Sequence, residues 1–195
     1  NEASICEQLE MGRTPVHQAL QRLQAEGLVD VVPRKGVIIQ PDSMGQVIEI
    51  LDARLVVEPA IAARAAEYGR SEDIEAARAI LDHHRDDAHG GGRIDAFVEC
   101  DRAFHSKISD MSQSRILGDF AKALHEPSIR AWYLHLWQTL DTDASDRQHR
   151  AVLGAIEVRD AGAAAAAMRD HLSGLRERVV LLQQHAPKRA PSHAR

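Results

Sequence analysis

Apolar positions recur every three to four residues along most of the chain, interrupted by clusters of Gly, Pro, Asp and Ser. Residues 3–9, ASICEQL, place Ile5 and Leu9 one turn apart beside Ala3 and Cys6, which predicts a short amphipathic helix. EMG at 10–12 predicts a tight turn ending in Gly12. Thr14 followed by Pro15 reads as the N-cap and first turn of the next helix, because the threonine oxygen accepts an orphan amide and proline has none to lose. VHQALQRLQAEG then puts Val16, Ala19, Leu20 and Leu23 on one face and stops at Gly27. The pattern next changes to two β-branched runs, LVDVV and GVIIQ, around PRKG, which predicts a hairpin with a cationic tip. Helix, turn, capped helix and hairpin together describe a winged helix-turn-helix over residues 1–41.

After the linker-like QPDS the period is helical almost throughout. Segments near 45–69, 71–89, 94–110, 113–139, 143–160 and 161–185 are joined by YGRSED, HGGGR, DMSQS, TLDTDA and a break near Gly162. They predict an all-helical bundle of about six helices over 42–185, with Pro59 kinking or dividing the first. APKRAPSHAR, 186–195, is Pro-rich and cationic and predicts a disordered tail. The fold class is mainly α.

Composition narrows the classes. The 195 residues are 44% hydrophobic but only 4% aromatic, which favours helices over sheet. A net charge of −5 excludes a polycation that holds nucleic acid by charge alone. Residues 1–40 carry four Lys/Arg against five Asp/Glu, so any DNA contact there is local and needs dimerisation. Cys6 and Cys100 lie far apart without CxxC spacing, which fits small buried side chains in a reducing compartment. With neither a signal peptide nor an apolar run near eighteen residues, the expectation is a cytoplasmic protein with no membrane contact. The first residue is Asn1 rather than Met, which leads us to expect a preceding segment.

One stretch raises a question of chemistry. In CDRAFHSKI, Asp101 and His105 stand one turn apart, and side chains at that spacing lie about 5–6 Å from each other on one helix face. Alone, the pair is as consistent with a solvated surface as with two metal ligands.

GRTPVHQALQRLQAEGLVDVVPRKGVIIQ resembles the recognition helix and wing of the GntR family of bacterial transcription regulators, whose pattern is close to S-R-T-P-V-R-x-A-L-x-x-L-x-x-E-G-L followed by a wing with R-x-G. RLVVEPAIAARAA, DRAFH, QHRAVLGAI and MRDHL resemble, in order, the motifs of the helical FCD ligand-binding domain of the FadR-type branch. The resemblance spans nearly the whole chain, apart from the tail and the first winged-helix helix that normally precedes residue 3. It implies a cytoplasmic homodimer that binds double-stranded operator DNA and responds to a small organic acid.

For the DNA end, a recognition helix presents its N-terminal residues to base edges and its positive dipole end to phosphate. Arg13 and Thr14 sit there, with His17 one turn on, and Arg34, Lys35 and Gly36 form the wing tip. The resemblance makes these the contact positions. His17 departs from the usual arginine and is a weaker, pH-dependent donor, which puts the usual half-site in doubt; Arg22 reads as a solvated face.

For the helical domain, the resemblance places a divalent metal on Asp101, His105, His149 and His171, and all four motif positions match. His149 and His171 each have Leu, Val or Met three or four residues away, compatible with pointing inward. One carboxylate and three imidazoles suit Zn²⁺, Ni²⁺, Mn²⁺ or Fe²⁺ and leave room for water or a ligand oxygen. The sequence has eleven histidines, and His83, His84, His89, His125, His135, His185 and His193 read as loop, polar-face or tail positions, His135 alternatively as a core residue among Trp132, Tyr133 and Trp137. Arg54 and Arg130 are expected to hold an effector's second acidic group, with a surface position or, for Arg54, pairing with Glu58 as the alternative. Ser114 replaces an asparagine common in the family. The expected function is a repressor released by a carboxylate metabolite at a metal site. A direct metal sensor is the alternative, and a metalloenzyme is disfavoured for lack of a recognisable general base.

Overall fold

The computed structural model describes residues 2–25, 29–32, 36–39, 44–88, 94–131 and 141–185. The chain divides into two compact units, Asn1–Ser43 and Met44–Arg195. QPDS at 40–43, the wing-tip residues Arg34 and Lys35, the aromatic segment 132–140 and the segment 186–195 lie outside the described residues.

In the first unit, α1 (Glu2–Gln8) and α2 (Arg13–Ala25) are followed by β1 (Val29–Val32) and β2 (Gly36–Ile39), paired antiparallel with Val29 opposite Ile39 and Val32 opposite Gly36. Val16, Leu20 and Val29 form its small core, whereas Ala19, expected on the same face, is exposed. The turn between the helices ends at Gly12 as expected; within it Glu10 takes the left-handed region (φ 52°) and the Met11 amide donates to Cys6 O. One local expectation is corrected. Thr14 is not the N-cap: α2 begins at Arg13, and Gly12 O accepts the Val16 amide. Pro15 fits there too, because no amide of a first turn has an intrahelical partner. Gly36 leaves the hairpin loop at φ 94°, a conformation that costs glycine nothing and a side chain much.

The second unit contains six helices among its described residues: α3 (Met44–Tyr68), α4 (Ser71–Ala88), α5 (Ile94–Met111), α6 (Arg115–Ala131), α7 (Thr142–Glu157) and α8 (Ala161–His185). Pro59 does not divide α3, which runs unbroken through it, and α6 likewise contains Pro127. The last break falls earlier than Gly162. Val158 caps α7, Arg159 takes φ 62°, and Asp160 Oδ1 accepts the Ala163 amide to start α8, so Gly162 lies inside the first turn. Arg159 also donates to Ala66 O and Gly69 O, satisfying carbonyls at the end of α3.

The core is divided along the bundle. Ile61, Phe104, Ile108, Val152, Met168 and Leu172 belong to one apolar cluster, and Leu51, Phe97, Val98, Ile129, Leu175 and Val179 to another. Arg54 and Glu58 on α3 lie between these sets, and buried Asp101 on α5 and His171 on α8 add to a polar layer within the apolar interior. Gly69 closes α3 where a Cβ would lie 2.5 Å from Ala65 O and 2.9 Å from Met111 Cε. Gly69→Ala should therefore cost about 1–3 kcal/mol in a urea unfolding experiment; wild-type stability would show that α3 and α5 separate freely there.

Candidate metal centre

The polar layer is built by five helices. Asp101 and His105 face inward from α5 because four-residue spacing keeps them on the side that also carries buried Phe104 and Ile108. His149 comes from α7 and His171 from α8, and all four are buried. One potential ligand atom from each lies within 4.8 Å of those of the other three. Asp101 Oδ1 is 3.3 Å from His149 Nε2 and 3.8 Å from His105 Nε2. With metal–ligand bonds of about 2.1 Å, neighbouring ligand atoms stand about 3.0–3.4 Å apart and opposed ones about 4.2 Å. The cluster therefore fits an ion after adjustments of a few tenths of an ångström.

The unused atoms point the same way. His105 Nε2 and His149 Nε2 are fully buried and have no hydrogen-bond partner, an arrangement that is costly unless something binds there. Two Nδ1 atoms are engaged: His105 Nδ1 donates to Glu58 Oε2 at 2.8 Å, and His171 Nδ1 donates to Gln148 Oε1 at 3.0 Å. Each bond fixes the tautomer that leaves a lone pair on Nε2, as the outer partners of metal-ligating histidines do. His149 is held by stacking on Phe104, with ring centroids 4.7 Å apart.

The supporting carboxylates are held in turn. Arg54 Nε donates to Glu58 Oε1 at 2.5 Å, and both residues are almost completely buried. Burial alone would raise the Glu58 carboxyl, but the Arg54 guanidinium and His105 outweigh it and hold Glu58 well below the usual carboxylate range. Asp101 follows the same balance: burial would raise it, but His105, the hydrogen bond from His125 and the His149 ring 3.3 Å away outweigh burial and hold Asp101 well below the usual carboxylate range. Burial lowers His149, and burial reinforced by the neighbouring imidazoles lowers His171 further. An anionic Asp101 beside the imidazoles of His149 and His171, both lowered toward the neutral form, makes a donor set suited to a divalent cation.

His125 corrects the sequence reading. It is neither in a loop nor on a polar face: it is buried on α6, and its Nε2 donates to Asp101 Oδ2 at 2.9 Å, leaving Oδ1 to the cluster. Its helix face also carries Gly118, Ala121 and Ser128, small or polar residues that give little apolar signal. Gln148 and the link from Glu58 to His105 were not anticipated either. Of the other histidines set aside, His83 is exposed, the side chains of His84 and His185 are outside the described residues, and His89, His135 and His193 lie wholly outside them.

The expected effector residues are placed differently. Arg54 takes the alternative weighed for it, pairing with Glu58. Arg130 lies on α6, but its side chain is outside the described residues. A cavity of about 260 Å³ adjoins the cluster between α3, α5 and α6, lined by Glu58, His105 and His125 within and by Arg102, Lys122 and Glu126 toward solvent. Cys100 is a free buried thiol, pushed up to about 12 by burial and by Asp101 and Asp146. At the other unit, Arg13, Thr14 and His17 are exposed at the N-terminal end of α2, with His17 3.4 Å from Glu2 and hydrogen-bonded to Gln21.

Comparison with known proteins agrees with this architecture. Residues 49–174 match the FCD domain, and residues 1–39 match the bacterial regulatory proteins of the gntR family. The chain belongs to the GntR family, with an FCD domain. Among curated GntR relatives it is 26% identical to the HTH-type transcriptional repressor RspR of Escherichia coli K12, covering 94% of this chain and 80% of RspR. It is 28% identical to the repressor GlaR of the same strain over 83% of this chain and 77% of GlaR. Among solved structures, E. coli McbR/YncC superposes with a TM-score of 0.74 at 21% identity, covering 94% of this chain and 85% of that one. These GntR relatives are transcriptional regulators rather than enzymes. No helix among the described residues is long and apolar enough to cross a membrane.

Proposed function

We propose that this GntR chain is a cytoplasmic, homodimeric repressor whose affinity for operator DNA is set by a small carboxylate bound at a metal in the FCD bundle. The observation that carries this reading is the pair of buried, partnerless Nε2 atoms on His105 and His149 beside an ionised Asp101. In it, residues 1–41 bind DNA and residues 42–185 bind the effector and dimerise. Asp101, His105, His149 and His171 would hold the divalent ion, which when bound supplies open coordination positions for a carboxylate oxygen. Glu58, His125 and Gln148 orient the ligands, and Arg54 acts through Glu58 rather than on the effector. Arg130 remains the proposed contact for a second acidic group.

At the DNA end, Arg13, Thr14 and His17 would meet base edges and phosphate in the major groove, with Arg34, Lys35 and Gly36 at the wing. A two-fold dimer reads a palindromic site, and an effector that changes the spacing of its recognition helices alters affinity by a coupling energy of about 1–3 kcal/mol. The test is fluorescence anisotropy with a duplex selected from a random pool. Arg13→Ala should weaken binding by about tenfold or more, the worth of a bidentate guanine contact, and parent binding should fall steeply with salt. Equal affinity of parent and Arg13→Ala would remove α2 as the reading helix. Small carboxylates that change neither DNA affinity nor thermal stability would rule out the effector part.

A further inference from the structure

Helix α6 turns more apolar surface outward than inward. Its buried face is Gly118, Ala121, His125, Ser128 and Ile129, of which only Ile129 is a large apolar side chain. On the opposite side Ile116 is 78% exposed and Phe120 56% exposed, and exposed Ala123 and half-buried Leu124 and Pro127 continue the row. Positions 116, 120, 123 and 127 are four, three and four residues apart, the spacing that keeps side chains on one helix stripe. The stripe follows most of a 17-residue helix, about 25 Å long. Single exposed apolar residues are ordinary, but a contiguous stripe with an aromatic ring at its middle marks a surface that another molecule covers.

The charges beside the stripe say which molecule. Arg115, Asp119, Lys122 and Glu126 run along one flank at the same spacing, and all four side chains are at least half exposed. Their signs alternate from positive to negative, so the row read backwards is its own complement. An antiparallel copy of α6 therefore brings Arg115 opposite Glu126 and Asp119 opposite Lys122, and two-fold symmetry makes each pair occur twice. The same register centres the contact beside Phe120, which then packs against its own counterpart. A parallel copy would set each charge against itself. Within the chain, Arg115 lies 3.9 Å from Asp119, Lys122 3.3 Å from Asp110 and Glu126 2.8 Å from Arg102, and such exposed pairs are weak and readily exchanged.

We infer that two copies of this chain meet across α6, antiparallel on a two-fold axis, with Ile116, Phe120, Ala123 and Pro127 at the centre and the alternating charges as one rim. This rests on the homodimer proposed above and names its surface.

The experiment is sedimentation velocity of the full chain over a range of concentrations. Phe120→Glu should weaken the parent dimer by about a hundredfold or more, because a two-fold interface carries the change twice at its centre. Asp119→Lys opposes like positive charges at the central contact and Lys122→Asp like negative ones. Each alone should dimerise about tenfold more weakly, and an equimolar mixture of the two should recover a dimer near parent strength, since each then meets its opposite. Damage to the fold cannot be repaired by mixing, and circular dichroism should show parental helix content in all three variants. One dimer Kd shared by the parent and all three variants would overturn the inference and leave a homodimer on another surface. Weakened charge variants that gain nothing on mixing would overturn the antiparallel register and the inference with it. A parent that stays monomeric at every concentration would overturn the inference and the homodimer reading together.

Discussion

Glu58→Ala should destabilise the helical domain by about 3–5 kcal/mol in urea unfolding, the cost of leaving a buried charge without its partner. Arg54 is 2% exposed and is hydrogen-bonded to Glu58 through both Nε and Nη2, so the variant strands a guanidinium in the polar layer with no route to water. The same substitution removes the acceptor that fixes His105, so metal affinity should fall by about 10–100-fold as well. An Arg54→Met/Glu58→Leu double variant separates the effects. Replacing the whole ion pair with apolar side chains should recover most of the stability, yet metal affinity should stay low because His105 Nδ1 still lacks its acceptor. Because Glu58 is held below its ordinary value of 4.5, its contribution is complete above about pH 4.5 and declines only as pH falls further toward the folded-state value. The stability gap between parent and Glu58→Ala should thus be constant from pH 7 to 5 and narrow in acid. A gap below 1 kcal/mol at pH 7 would mean that Arg54 reaches solvent.

Metal-linked stabilisation is the second large effect. An ion that binds only the folded chain stabilises it by about 4 kcal/mol at a concentration a thousand times its Kd, and for a chain of this size each kcal/mol raises Tm by about 2–4 °C. Zinc or manganese added to chelator-treated protein should therefore raise Tm by roughly 8–16 °C in calorimetry. His171→Ala should abolish most of that rise. It removes one of four ligands and also the role of Gln148, whose Oε1 accepts from His171 Nδ1. An equal rise in parent and variant would place the binding ion elsewhere.

The buried cluster of Asp101, His105, His149 and His171 was legible in the sequence, partly from spacing and partly from the family resemblance. Asp101 and His105 share one helix face by spacing alone, and His149 and His171 each sit among apolar residues at helical intervals, beside motifs that resemble a known family. Their supports were not legible, because each is a contact between distant helices: Glu58 to His105 spans 47 positions, Asp101 to His125 spans 24 and Gln148 to His171 spans 23. Periodicity says that a side chain points inward, not what it meets there. Six helices behind a helix-turn-helix and hairpin followed from hydrophobic period and β-branched runs, while element ends depended on single residues. The break expected near Gly162 is made by Arg159 in a left-handed conformation and by Asp160, which caps the start of α8. At α2, the tolerance of proline throughout a first turn made Thr14 look like a cap that Gly12 provides through its backbone.

The central claim is that Asp101, His105, His149 and His171 hold an ion, and elemental analysis tests it most directly. The measurement compares parent protein with His149→Ala, both purified without chelator and without an immobilised-nickel column. The account predicts near-stoichiometric transition metal in the parent and loss of most of it in the variant. Parent protein that is metal-free and takes up neither zinc nor manganese on addition would contradict it, leaving the buried imidazole cluster as structure alone.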